Sequence, residues 1–240
     1  MDCLLCEGDT MKHLELLAKN ENVLLYYTKD YALITDKLIA SMEWPKAVPL
    51  LGFAFNPFAP KGGCLGKKVK GDYVVRYMYG AKTSSLKPVG KEMKSSPLTL
   101  RPPKNAKETL AITKATLGKY TAGNRSKNGT RFSEEVKNYL AMIRKVRSVL
   151  VFKDGKNVGI ASLLDGVRLE GGKCSTLTWL WISPQLPPAQ RKDALYKATK
   201  WVKDNALEYI ASCEFAYDRK SQQQDSQMGL KPYRIFFAHK

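Results

Sequence analysis

The sequence predicts a mixed α+β (α/β) chain, and three observations carry that expectation. Runs rich in β-branched and aromatic residues recur toward the C-terminus, at Ser148–Lys153, Val158–Leu164, Cys174–Ile182, Tyr209–Tyr217 and Tyr233–Ala238. Such residues fit the pleated, half-buried surface of a sheet. The first two runs are joined by Asp154-Gly155, a dipeptide suited to the positive φ of a tight hairpin. Helix-length stretches with their own start and stop signals lie between the strands, at Ala106–Lys119, Glu134–Lys145, Ala189–Leu207 and Arg219–Met228.

From the N-terminus, Met11–Lys19 carries Leu14, Leu16 and Leu17 and reads as a short helix. Val23–Tyr27 and Tyr31–Thr35 read as a hairpin around Thr28-Lys29-Asp30. Asp36–Met42 reads as a helical turn ended by Trp44-Pro45, because proline pushes the residue before it out of the α region. Residues 45–66 hold Pro45, Pro49, Pro57 and Pro60 and then Gly62, Gly63 and Gly66, and read as a structured loop. Tyr73–Tyr79 alternates as a strand does. Residues 80–97, poor in apolar side chains, read as the boundary between a basic α+β region (1–94) and a second domain (95–240).

The second domain opens on the strand Leu98–Arg101, ended by Pro102-Pro103. Asn105 caps the helix from Ala106, with Glu108 at its third position as in a capping box. Thr121–Arg131 reads as a loop, and Ser133 caps the next helix, whose Val136, Leu140, Met142 and Ile143 form an apolar stripe. Glu170-Gly171-Gly172 turns the chain into Cys174–Ile182. Gly229 is placed to end the last helix in the left-handed conformation.

Composition narrows the function classes. With 240 residues, 44% of them hydrophobic and 26% charged, the chain can bury a real core. Its longest apolar runs, Val48–Phe55 and Leu177–Ile182, are too short to span a bilayer, so no membrane partner is expected. Five scattered cysteines suit a reducing compartment, and the N-terminal residues lack the pattern of a secretory signal, so a cytoplasmic location is expected. Cys3-x-x-Cys6 has no second pair to complete a zinc site, and no metal is expected. His13 and His239 stand at opposite termini, which argues against a histidine-based triad. Lys61–Lys67 is glycine-rich without the spacing of a phosphate-binding P-loop.

The net charge of +18 implies an anionic partner. Between residues 61 and 94 stand nine Lys or Arg and two acids, interleaved with Tyr73, Tyr77 and Tyr79. Cations neutralise phosphates and aromatic faces stack on bases, so Lys67, Lys68, Lys70 and Arg76 are candidate contacts to DNA or RNA. A solvated basic face over a strand whose tyrosines pack inward is the plainer reading of the same residues.

The order of elements after residue 97 resembles the GCN5-related N-acetyltransferase superfamily. "LTLRPPKNAKETLAI" is similar to its opening strand and first helix, and "VLVFKDGKNVGIASLL" to its second and third strands, with Gly159 where the third begins. "LTWLWISP" resembles the fourth strand and "FAYDRKSQQQDSQMGLKPYRIFFAHK" the closing strand–helix–strand. The resemblance implies a mostly antiparallel central sheet flanked by helices, with acetyl-CoA or another acyl-CoA as cofactor and an amine as acceptor. It implies that the fourth and fifth strands splay, so that the backbone of Trp181 and Ile182 meets the pantetheine arm. It implies that the pyrophosphate rests on the next helix N-terminus, at Gln190, Arg191, Lys192, Asp193, Ala194 and Leu195. Asp193 and Leu195 stand at that motif's glycine positions, and Arg191 and Lys192 are placed to pair with phosphate.

Catalysis of this kind needs a neutral amine and a proton for the leaving thiolate. The family's acid, a tyrosine four residues before a Gly-Phe pair, aligns with Asp225, and its asparagine with Asp218. Asp225 reads from the residues alone as a group on a solvated helix face. Tyr217 and Tyr233 are nearby phenols, and Glu214, ahead of Glu170, is the candidate base through water. Cys213, on the same strand, reads as inert core. A non-catalytic nucleic-acid-binding or interaction protein on the same scaffold is the alternative.

Overall fold

The computed structural model describes residues 15–19, 23–28, 50–55, 73–128, 137, 139–167, 172–215 and 218–239. The chain forms two compact units. The first comprises Met1–Tyr79, Glu214–Arg219 and Lys231–Lys240, and the second Gly80–Cys213 and Lys220–Leu230. Residues 80–94 therefore belong with the second unit, and the C-terminal strand with the first.

In the first unit, β1 (Glu15–Lys19) and β2 (Val23–Thr28) form an antiparallel hairpin, and β2 runs parallel to β3 (Leu50–Phe55). β3 pairs antiparallel with β10 (Lys231–His239), and β4 (Tyr73–Lys82) lies beside β10. Leu25, Leu51, Phe53, Tyr77, Ile235 and Phe237 are buried, with Phe53 and Phe237 edge to face at 6.0 Å.

Two expectations fail here. The helix expected over Met11–Lys19 is strand where it is described, and β2 pairs with that strand. Leu16, exposed at 51%, and Lys19 face outward, so its leucines do not form one buried helical stripe. The loop expected over residues 45–66 contains β3, whose Leu51, Gly52 and Phe53 are all buried. A strand covered on both faces loses the alternation that marks a half-buried one. Tyr31–Thr35 and Asp36–Met42 lie outside the described residues.

In the second unit, β5 (Leu98–Arg101), β6 (Val146–Lys153), β7 (Lys156–Val167) and β8 (Lys173–Ile182) pair antiparallel in sequence order, and β8 runs parallel to β9 (Tyr209–Phe215). The described residues also include the helices α1 (Ala106–Asn128), α2 (Pro188–Asn205) and α3 (Arg219–Met228). The fold is α+β with a mixed, mostly antiparallel sheet, and the order of elements after residue 97 is the one the sequence implies. The β6–β7 turn places Asp154 at φ 49° and Gly155 at φ 73°, and Gly229 ends α3 at φ 90°.

Asn105 Oδ1 accepts the Glu108 N–H at 3.0 Å, as a helix cap should. The Glu108 carboxylate reaches back to the Lys104 N–H and takes both arms of the Arg101 guanidinium. Arg101 and that backbone N–H hold the Glu108 carboxyl at about 2, well below the carboxylate range. α1 continues through the expected loop as far as Asn128. Of the expected helix Glu134–Lys145, residues 137 and 139–142 are helical and run into a 3-10 turn at Ile143–Lys145.

Residues 83–97 are not a slack linker. They lie along α2 as a strap. At α2's C-terminal end the Thr83 N–H donates to Glu208 O (3.0 Å), and the Lys87 N–H donates to Met228 O of α3 (2.9 Å). Thr199 Oγ1 accepts the Val89 N–H at 2.8 Å and donates back to Leu195 O. The Lys91 N–H reaches Lys192 O at 3.3 Å. Between these bonds Gly90 sits at φ 110°, where an added Cβ would lie 2.2 Å from Lys192 O. Only glycine meets both the left-handed backbone and the close approach.

Candidate functional site

The site is built where β8 changes neighbours. The parallel β8–β9 ladder covers Cys174–Leu177 against Tyr209–Ser212 and stops there, while β8 runs on to Ile182. At the same point β8 bulges on its other side. Ser162 of β7 pairs with Trp179 and Leu163 with Leu177, which makes Thr178 the extra residue. Gly159 faces Ile182 across the β7–β8 ladder, where a Cβ would come within 2.7 Å of the Ile182 side chain and 3.1 Å of Trp181 O. Trp181 and Ile182, the expected backbone contacts to a pantetheine arm, are half-buried and lie beyond the β9 ladder.

After Ile182, Ser183 is buried and its N–H returns to Val158 O of β7 at 2.8 Å. The chain then reaches Pro187 and enters α2 at Pro188, one residue before the expected start. Proline at the first position leaves no extra N–H to satisfy. No acidic residue stands in the first turn. The Arg191 N–H is used within the helix, on Pro187 O. Arg191 and Lys192 are exposed, and Gln190 Oε1 is buried without a hydrogen-bond partner. A helix start with two cations and one orphaned amide oxygen suits an anionic ligand carrying donors.

Asp193 and Ala194 do not face such a ligand. Both are fully buried. The Asp193 carboxylate turns to the strap, where Oδ1 accepts the Met93 N–H at 2.9 Å and Oδ2 accepts the Ser96 hydroxyl. Ser96 Oγ in turn accepts the Leu98 N–H at the start of β5. The side chain that sequence reasoning set against a pyrophosphate is an anchor for the 89–98 segment. Leu195 is half-buried. The first turn of α2 therefore presents the exposed Arg191 and Lys192, with the Asp193 carboxylate turned away from them to the strap.

Asp225 departs from expectation as well. It is 3% exposed, and its carboxyl accepts the Ser212 hydroxyl from the last residue of β9 that pairs with β8. The solvated helix face expected for it is wrong, because α3 turns this side chain inward. Cys213 is exposed, not core. Glu214 and Asp218 are half-buried in the first unit, and Tyr233 of that unit is half-buried under the Arg234 guanidinium at 5.1 Å. Arg76, a candidate nucleic-acid contact, is half-buried with its guanidinium 4.6 Å from the centre of the Phe215 ring. Tyr217, Glu170, Lys67, Lys68 and Lys70 lie outside the described residues.

Sequence reasoning missed a cluster of hydroxyls on the second unit's sheet. Ser148 Oγ and Ser162 Oγ, both buried, are 2.8 Å apart across the β6–β7 pair. Thr178 Oγ1 donates to Ser162 O at 3.2 Å, and Tyr139 Oη lies 3.4 Å from Thr178 Oγ1. Next to them Trp179 Nε1 donates to Thr116 Oγ1 of α1 at 2.9 Å. Burial pushes the Tyr139 phenol up, against the pull of its bonds to Thr178 and Ser162. A polar residue at alternate strand positions was the available signal, spread over three strands and a helix.

No protein-family model and no curated protein sequence matches the chain. Solved structures are similar to it. One is a conserved protein of unknown function from Staphylococcus epidermidis, at 11% identity and a TM-score of 0.48, with 99% of this chain and 98% of that one covered. Another is a GCN5-related N-acetyltransferase from Kribbella flavida, at 10% identity and a TM-score of 0.44, covering 97% and 91%. A third is a tandem GNAT protein from the clavulanic acid biosynthesis pathway, at 10% identity and a TM-score of 0.44, covering 89% and 74%. GCN5-related N-acetyltransferases are thus among the solved structures to which this chain is similar.

Proposed function

We propose that the protein is an acyl-CoA-dependent N-acyltransferase, using acetyl-CoA or another acyl-CoA, with an acceptor that is anionic or carried on nucleic acid. The observation that supports it most is the parting of β8 from β9 after Leu177, followed by an α2 start that offers cations and no acid. Backbone groups at the end of β8 are then available to a pantetheine arm, and Gln190, Arg191 and Lys192 to its phosphates. The bound cofactor supplies an acyl group activated as a thioester. The inward turn of Asp193 supports the same reading, because it removes the one carboxylate that would oppose a pyrophosphate.

Thermal unfolding with acetyl-CoA tests this. A cofactor at 100 times its dissociation constant is expected to add about 2.7 kcal/mol of stability, read as a rise in Tm. A Tm unmoved by millimolar acetyl-CoA sinks the reading.

The net charge of +18 motivates the choice of acceptor. Cationic acceptors would be repelled, and polyanions drawn in. Affinity for a short RNA or DNA duplex is expected to fall about 10³-fold or more between 50 and 200 mM salt, provided some six or more phosphates are contacted. Fluorescence anisotropy across a salt series measures it, and a flat response removes nucleic acid from the proposal.

A further inference from the structure

We propose that the strap is the face that meets nucleic acid, with Lys87, Lys91 and Lys94 set against separate phosphates. This rests on the part of the reading above that carries the acceptor on nucleic acid, and it names the surface. The strap spends its backbone inward. The N–H groups of Lys87, Val89, Lys91 and Met93 donate to Met228 O, Thr199 Oγ1, Lys192 O and Asp193 Oδ1. The side chains of Lys87, Lys91 and Lys94 are exposed, and among the described residues none of the three is in an ion pair. Gly90, at φ 110° against Lys192 O, seats the chain between them, so the lysines stand on a fixed main chain and lose little freedom on binding.

The strap also changes the charge of the face it covers. Asp193 is the only acid of α2 before Asp204, and it is fully buried beneath the strap. A carboxylate is thereby taken off the surface, and ammonium groups are carried over it. The strap's one acid, Glu92, is near enough to Lys200 to favour that residue's charged form, behind the larger effect of Asp204. Lys91 and Lys94 therefore continue the cationic start of α2, where Arg191 and Lys192 are exposed.

Spacing and composition point to a polyanion. Val89 is held beside Thr199 and Met93 beside Asp193, six α2 residues apart, which is about 9 Å along the helix. A strand of B-DNA carries one charge per about 3.4 Å of axis, so lysines spread along this line reach separate phosphates. No large apolar side chain of the strap is exposed. Protein interfaces are depleted in lysine and centred on apolar or aromatic anchors, so an exposed lysine line without such an anchor suits phosphates better. Contacts to phosphates position a duplex without reading its bases, and the binding is independent of sequence. Of the cations set against nucleic acid by the sequence, Arg76 is half-buried over Phe215 and is not part of this surface.

Fluorescence anisotropy of a short labelled RNA or DNA duplex, taken over a salt series, tests the surface. In the full chain carrying Lys87→Gln, Lys91→Gln and Lys94→Gln, the slope of log K against log salt is expected to become shallower by about 2.7. Lys114→Gln, Lys145→Gln and Lys156→Gln together remove the same charge from exposed sites elsewhere in the second unit, and are expected to change the slope by less than about 1. On the wild-type chain, which needs no variant to fold, the duplex is expected to protect Lys87, Lys91 and Lys94 from acetylation by an activated ester more than Lys114, Lys145 and Lys156. Equal slopes for the two triple variants, or equal protection of the two sets of lysines, overturn the surface and leave only diffuse attraction. Polyglutamate that competes as well as the duplex, charge for charge, makes the partner an acidic protein and overturns it too. A wild-type chain that binds no duplex overturns both the surface and the nucleic-acid-borne acceptor. Neither triple variant alters Gln190, Arg191 or Lys192, so the rise of Tm with acetyl-CoA is read independently of all these outcomes.

Discussion

Asp193→Gly, which restores the residue found at this place in the acetyltransferase motif, is expected to destabilise the protein by about 4 kcal/mol and to leave acetyl-CoA affinity unimproved. The carboxylate holds the Met93 N–H and the Ser96 hydroxyl in a fully buried setting. Hydrogen bonds to a charged group contribute about 1.5–3 kcal/mol each, and their removal strands both donors. A glycine inside α2 adds about 1 kcal/mol more. At this chain length the loss corresponds to a Tm about 10 °C lower. Asp193→Ala should lose the first contribution and not the second. Were the carboxylate turned toward the pyrophosphate, glycine would instead tighten binding at little cost in stability. Thermal unfolding and a calorimetric titration with acetyl-CoA separate the two cases: a Tm within 2 °C of wild type with a markedly lower Kd would put Asp193 back in front of the ligand.

The same residue shows where the sequence was legible and where it was not. Motif spacing located Asp193 on the second turn of α2, and the structure agrees. Spacing does not say which way a side chain turns, and on a helix buried on one side that is set by what packs beside it. What packs beside it is the strap, read from sequence as a boundary because residues 80–97 carry little apolar periodicity. Its attachment is by backbone hydrogen bonds, to Lys192 O, to Thr199 Oγ1 and to Asp193, and a hydrogen-bonded strap leaves almost no trace in a hydrophobic pattern. Only Gly90 marks it, as a position forced by φ 110° and by the nearness of Lys192 O. β3 was hidden for the opposite reason, since burial of Leu51, Gly52 and Phe53 removed the alternation. The strands, caps and turns from β6 onward were legible because their signals are local. Asp154-Gly155 makes its turn within four residues, and Gly229 ends its helix within one.

The acid position sets the second large effect. Asp225→Ala is expected to cost about 3 kcal/mol, and Asp225→Asn about 1 kcal/mol. The alanine variant leaves the buried Ser212 hydroxyl facing a hole, whereas asparagine keeps an acceptor oxygen of nearly the same shape in reach of it. A double-mutant cycle with Ser212→Ala should return a coupling of about 1–3 kcal/mol, as expected for contacting groups. The consequence for chemistry follows from the same geometry. A carboxyl tied to Ser212 at the end of the β8–β9 ladder fastens α3 to β9, and in doing so holds the strand where its partner departs. Its loss should therefore lower the folded fraction and not the turnover of each folded molecule. Release of CoA thiol from acetyl-CoA by Asp225→Asn, normalised to folded protein, is expected within about threefold of wild type. An Asp225→Asn protein of full stability with kcat reduced 10²-fold would instead put Asp225 among the groups that touch the reacting atoms.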